Sequence, residues 1–280
     1  IGVIPTIVGR GDYIIGDELN HASIVEGRRL SFASYLKYKH NDMESLEAVL
    51  KKIPYESTKL IVMDGVFSME GDIAKLPEIV ALADKYNASV YVDEAHSLGV
   101  FGQEGRGICN HFGLTDRVDL IMGTFSKSLA TIGGFIATDA ETINFLKHHS
   151  RSYIFSASIS PAATASVIAA LDVIKQEPER IKNLWEITNY SLSAFRSLGF
   201  EIGNTQTPII PLYIRDMDKT FAITQELYEQ GVFVNPVIPP ACSPDDTLIR
   251  FSLMATHTKA QIDEAVEKLT ATFKKYEIIR

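Results

Sequence analysis

Leu120 to Gly134, LIMGTFSKSLATIGG, opens as an apolar run, closes on paired glycines, and carries Thr124, Ser126, Lys127 and Ser128 between them. The run reads as a buried strand that delivers one lysine into a turn of hydroxyls and glycines. Lysine is costly to bury, and where its surroundings depress its basicity it is the usual amine of Schiff-base chemistry. Ser89 to Gly99, SVYVDEAHSLG, repeats the plan: a β-branched and aromatic run ends in Asp93, with His96 three residues on. Two strands of parallel type that release reactive side chains at their carboxyl ends match the rule for ligand binding in open α/β sheets.

Upstream, Lys59 to Phe67, KLIVMDGVF, is a near-continuous apolar strand, followed by a turn over Ser68 to Asp72. Leu76, Ile79, Val80 and Ala83 then keep the i, i+3, i+4, i+7 spacing of a covering helix. Ile1 to Gly16 reads as short strands and turns. In Asp17 to Ser31, DELNHASIVEGRRLS, His21 stands just before a helical run that Asn20 is expected to cap. Ser34 to His40 reads as a strand, and Asn41, Asp42 and Glu44 open a helix with Met43, Leu46, Val49 and Leu50 on its apolar face.

Downstream, Gly134 to Thr138 is a further strand and Asp139 to His149 a helix. Ser160 caps a helix that has Pro161 in its first turn and runs to about Lys175. The loop from Gly99 to Gly113, GVFGQEGRGICNHFG, is too long for a simple connector, and such loops at strand ends carry function. Strands apolar on both faces and alternating with helices predict an α/β fold, a mostly parallel central sheet covered by helices.

Beyond residue 175 the texture changes. Glu177 to Leu198 is a charged amphipathic helix, Pro208 to Ile214 a strand, Thr220 to Gln230 a helix and Leu248 to Ala255 a strand; Ile262, Ala265, Val266, Leu269 and Phe273 mark a terminal helix. Two domains are expected: a large one over residues 1–174, and a small C-terminal α+β domain over residues 175–280.

The chain has 280 residues, 46% of them hydrophobic, which is enough for a large core. A formal charge of −8 argues against nucleic acid or an anionic membrane as main partner, although a local nest of amides can still bind phosphate. Two cysteines, Cys109 and Cys242, make no disulfide framework and fit a reducing, cytoplasmic setting. No apolar run reaches the roughly 18 residues of a membrane span. The chain opens at Ile1 without a methionine, so an N-terminal region is expected to be missing.

A pyridoxal phosphate site needs a lysine for the aldehyde, a carboxylate that keeps the ring nitrogen protonated, and donors for the phosphate. Lys127, Asp93 and the pair Thr124 and Ser126 supply that set, His96 is suited to the ring's phenolic oxygen, and His21 has a flat face to stack. Taken singly, each has an ordinary explanation as a cap, a turn residue or a hydrogen-bonded histidine. Their joint occurrence at successive strand ends points to one site.

VDEAHSLGVFGQEGRG, then GTFSKS and GGF, resembles the α-oxoamine synthase family of fold-type I pyridoxal phosphate enzymes. The likeness runs from NHAS at Asn20 through HND at His40, DGVFSMEGD at Asp64 and YIFSAS at Tyr153 to IRFSLMATHT at Ile249. Within the family, TFSKS with GGF, HSRSYIFSAS and LMATHT are most similar to the members that join L-serine to a long-chain acyl-CoA.

The resemblance implies a fold-type I transferase whose large domain binds pyridoxal 5'-phosphate. By position, it implies that Lys127 forms the imine and moves the Cα proton, that Asp93 pairs with the ring nitrogen, and that His21 stacks on the ring and meets the substrate carboxylate. It places His96 near the phenolic oxygen, Thr124 and Ser126 near the phosphate, and Ser68 among the cofactor contacts. Ser156 is implied to reach the phosphate across a homodimer with shared sites, and Arg250 to bind the amino-acid carboxylate. No metal is expected. The implied reaction is decarboxylative condensation of L-serine with palmitoyl-CoA to 3-ketosphinganine, CoA and CO2. Alternatives are a sibling condensation (glycine with acetyl-CoA, or alanine with pimeloyl-CoA), an aminotransferase, or a non-catalytic partner subunit, which would lack the lysine. Loose membrane contact suits a lipid product. Family members also carry, before the point where this chain opens, a glycine-rich turn and helix that complete the phosphate cradle and part of the acyl-CoA entry.

Overall fold

A strand covered on both faces has no room for a polar side, and Lys59–Asp64 is buried at every residue. Even Lys59 is 2% exposed, its Nζ donating to the carbonyls of Pro54, Tyr55 and Ser57. The computed structural model describes residues 1–280. In chain order the strands of the first sheet are Tyr13–Asp17 (β1), Ser34–Tyr38 (β2), Lys59–Asp64 (β3), Ser89–Asp93 (β4), Leu120–Thr124 (β5) and Gly134–Ala137 (β6). They lie in the order β2-β1-β3-β4-β5-β6, with β1 to β5 parallel and β6 antiparallel on the edge. The mostly parallel α/β sheet expected from the apolar runs is therefore present. The register sets Asp17 opposite Tyr38 and Asp64 opposite Asp93, so five strands end on one edge of the sheet.

The helices of this part are Ile4–Ile7 (α1), Ala22–Arg29 (α2), Met43–Leu50 (α3), Leu76–Tyr86 (α4), Ile108–His111 (α5), Ala140–His149 (α6), Arg151–Ile154 (α7) and Pro161–Gln176 (α8). In α4 the spaced residues Leu76, Ile79, Val80 and Ala83 are all buried, and Asn87, left-handed at φ 52°, ends the helix. Each of the three large side chains contributes about 2 kcal/mol of burial. Ile4, Val8, Ile14, Ile24, Leu60, Val62, Tyr91 and Leu120 form a shared core.

Two local expectations are corrected. The opening segment includes a helix, α1, because Pro5 presets the first turn. The cap of α2 is His21 and not Asn20, since the imidazole accepts from Ser23 N while the Asn20 side chain bonds to β3.

The chain divides into two units. One comprises Ile1–Phe67 with Ala74–Gln176, and the other Ser68–Ile73 with Glu177–Arg280. The second contains Glu179–Ser197 (α9), Ile209–Tyr213 (β7), Met217–Glu229 (α10), Asn235–Val237 (β8), Leu248–Ser252 (β9) and Lys259–Lys275 (α11). Its sheet, β7-β9-β8, is antiparallel. Phe195 of α9 packs edge-on against Phe200 and Phe251. Helix α10 starts three residues earlier than its apolar spacing suggests because Asp216 caps it through Lys219 N. Strand β8 escapes sequence reading because it is short and holds Pro236, which an edge strand tolerates. Thr205 Oγ1 donates to Gly71 O at 2.8 Å, tying the Ser68–Ile73 segment into this unit. No helix is long and apolar enough to cross a membrane.

Candidate active site

At the end of β4 the chain turns sharply, and polar side chains hold the turn. Asp93 is 4% exposed, and its Oδ1 accepts from Ala95 N at 2.9 Å. Burial pushes its carboxyl above the ordinary value, against the pull of that N–H, of Lys127 and of His21. Glu94 N continues the ladder by donating to Met122 O, while the Glu94 carboxylate accepts from Ile108 N at 2.7 Å, Cys109 N at 2.8 Å and Ser97 Oγ. One buried carboxylate thus caps α5 and pins the far end of the glycine-rich loop. Gly107 lets it approach: at φ 103°, a Cβ there would meet the Glu94 carboxylate at 2.5 Å.

Strand β5 ends beside it in the lysine turn. Phe125 N donates to Gly133 O and Thr131 N to Phe125 O, folding the turn back on itself. Thr124 Oγ1 and Ser126 Oγ lie 2.9 Å apart. Ser128 Oγ donates to Leu98 O at 2.7 Å and so joins the two turns, an approach that Gly99 permits because a Cβ there would fall 2.6 Å from that of Ser128. Lys127 Nζ is then 3.2 Å from His96 Nδ1. Lys127 is exposed and His96 half-buried, so the amine is open to a ligand while its partner is held.

His21 reaches the same edge from β1. Its N–H donates to Asp64 Oδ2 at 2.7 Å, and its Nδ1 accepts from Ser23 N at 3.2 Å and lies 2.9 Å from Ser23 Oγ, a hydroxyl that can donate to it as well. A ring nitrogen that accepts from a backbone N–H carries no proton, so the neutral ring is protonated at Nε2. His21 itself is exposed.

The structure therefore brings Lys127, His96, Asp93, Thr124, Ser126 and His21 to neighbouring strand ends. Ser156 lies in an exposed stretch after α7 and makes no hydrogen bond to this cluster. Ser68 and Arg250 belong to the second unit, where Arg250 Nη1 donates to Ser68 O at 3.3 Å. Arg250 Nε is buried with no hydrogen-bond partner, a vacancy that a carboxylate would satisfy. Sequence reading missed Asp64 and Ser23. Asp64 carried a signal, since KLIVMD ends an apolar strand on an aspartate just as SVYVD does.

Chemically, an exposed primary amine suits an aldehyde, a buried carboxylate a protonated ring nitrogen, and paired hydroxyls a phosphate. The donor set fits pyridoxal phosphate.

The family model for aminotransferase class I and II matches residues 1–269. The serine palmitoyltransferase of Bacteroides ovatus is 65% identical over 278 residues, covering 99% of this chain and 71% of that protein. The 8-amino-7-oxononanoate synthase of Thermoanaerobacter pseudethanolicus is 43% identical over 280 residues, 100% of this chain and 71% of that one. Among solved structures, a serine palmitoyltransferase variant from S. paucimobilis with bound PLP–myriocin aldimine superposes with a TM-score of 0.96 at 35% identity, over 99% of this chain and 70% of that one.

Proposed function

The chain belongs to the aminotransferase class I and II family, and we propose that it is a pyridoxal phosphate-dependent acyltransferase joining L-serine to palmitoyl-CoA, with loss of CO2 and release of CoA and 3-ketosphinganine. The observation that carries this reading is the pairing of Lys127 Nζ with His96 Nδ1 at 3.2 Å, next to buried Asp93, in a chain 65% identical to a serine palmitoyltransferase.

When bound, pyridoxal phosphate supplies an aldehyde that captures an amine and a ring that withdraws electrons from the substrate's Cα. Lys127 would hold that aldehyde, and its Nζ would carry the proton from Cα of serine. Asp93 would keep a proton at the ring nitrogen. His96 orients the Lys127 amine and would meet the phenolic oxygen, while Thr124 and Ser126 would offer hydroxyls to the phosphate, Ser156 would reach the phosphate held by the partner subunit, and Ser68 would add a further cofactor contact. His21 presents a flat ring and an Nε2–H as an outward donor, and the Arg250 guanidinium is suited to an amino-acid carboxylate.

The first unit is read as the cofactor-binding domain. A homodimer with shared sites and a cytoplasmic location complete the proposal. Exposed Tyr153, Ile154 and Phe155 in the segment that carries Ser156 support the first, and two free cysteines the second.

A panel of amino acids and acyl-CoAs, run on the full gene product, tests the function. Release of CoA from palmitoyl-CoA that depends on serine, and not on glycine or alanine, is the expected result. The 43% identity to an 8-amino-7-oxononanoate synthase keeps a second reading in play, which release from pimeloyl-CoA with alanine would establish instead.

A further inference from the structure

Asp64 sits at the end of β3, 3% exposed and in register with Asp93 on β4. Parallel strands lie about 4.8 Å apart and residues in register point to one face, so two carboxyl groups share one side of the sheet edge. Burying one carboxylate is costly, and a second beside it costs more. Asp93 has an assigned use, and the hydrogen bonds around Asp64 indicate another.

Pairing between β1 and β3 stops with Gly16 opposite Val62. Beyond that point the Asn20 side chain takes over the ladder, donating from Nδ2 to Val62 O at 2.8 Å and accepting at Oδ1 from Asp64 N at 3.2 Å. The next N–H, that of His21, donates to Asp64 Oδ2 at 2.7 Å. Three bonds to Val62 and Asp64 at the end of β3 therefore fix the Asn20–His21 peptide before α2 begins. From there Ser23 N reaches His21 Nδ1.

We propose that Asp64 is the positioning residue of His21: by holding its backbone N–H, Asp64 makes the imidazole leave the sheet edge in one orientation and one tautomer, with Nε2–H as the outward donor. The two carboxyl groups thus divide the work, Asp93 for the cofactor ring and Asp64 for His21. The catalytic sense of the proposal rests on the function proposed above, but the geometric sense does not.

The test reads the ring nitrogens of His21 by NMR in isotopically labelled protein without added cofactor, with a His21→Gln protein to identify the signals. Asp64→Asn keeps an acceptor oxygen, whereas Asp64→Val, close in size, keeps none. Wild type and Asp64→Asn are expected to show the Nε2–H pattern, and Asp64→Val an average of both tautomers. In turnover, Asp64→Val is expected to lose roughly tenfold or more in kcat with an unchanged KM for palmitoyl-CoA, while Asp64→Asn stays within about threefold of wild type. A His21 spectrum in Asp64→Val identical to wild type overturns the proposal, as does Asp64→Asn proving as disruptive as Asp64→Val. Should Asp64→Val not fold, Asp64→Ala takes its place, and Asp64→Asn still decides by keeping or losing the pattern. A wild-type protein that forms no imine absorbance with pyridoxal phosphate sinks the proposed function separately, because the apo spectra judge Asp64 on their own.

Discussion

The Nζ of Lys127 lies 3.2 Å from Nδ1 of His96, and this bond spans the turns that leave two adjacent parallel strands. A second link, from Ser128 Oγ to Leu98 O, runs between the same turns. The amine is therefore exposed without being adrift, which is what covalent capture of an aldehyde asks of it.

Lys127→Ala is expected to abolish the imine absorbance seen on adding pyridoxal phosphate and to lower CoA release at least ~1000-fold. Because the side chain is exposed, the melting temperature should hardly move. Turnover at the parental rate would end the assignment.

Asp64 gives a dependence of stability on pH. Burial, with the charge of Asp93 second, holds its carboxyl above the ordinary 3.8. Above that value the folded protein retains a proton that the unfolded chain has lost, so its stabilising effect is complete at lower pH and is lost as pH rises through the folded pKa. Asp64→Asn should accordingly melt higher than wild type at about pH 8, with the gap closing toward about pH 4. Thermal melts across that range check it, and a gap that widens on acidification would contradict it.

Glu94→Ala leaves two buried N–H groups of α5 without an acceptor and is expected to cost about 3 kcal/mol in denaturant unfolding. Gly107→Ala sets a Cβ against that same carboxylate at a positive φ and should cost roughly 2 kcal/mol. The two are coupled, so the double variant should lose less than the sum. Strict additivity would show that the carboxylate and the glycine do not meet.

Arg250→Ala is expected to raise KM for serine roughly tenfold or more while leaving KM for palmitoyl-CoA near its original value. Steady-state kinetics with each substrate varied in turn separates this from a structural role, which would shift both.

How much of this could be read before the fold was known differs by residue. Asp93, His96 and Lys127 were legible because each follows an apolar run that can only be an interior strand, and strand ends are where such sheets do chemistry. Asp64 follows an equally clear run yet was passed over, since its partner is the backbone of His21, 43 positions earlier, and no local pattern signals that bond. For the same reason Asn20 read as the cap of α2: locally an asparagine before a helix is a cap, but its amide is taken by β3. The antiparallel direction of β6 is likewise a property of pairing and not of composition.

The six residues Ser68–Ile73 carry a consequence for biosynthesis. Gly71 leaves the ribosome 134 residues ahead of Thr205, whose hydroxyl it is to receive. At about 5–20 residues per second, that is a wait of roughly seven to thirty seconds. Until then the loop lacks its partner, and β4 to β6 are themselves still to be made when it emerges, so a slow stretch of codons after residue 73 would lengthen its exposure to proteases and chaperones, and completion of the distal half would end it.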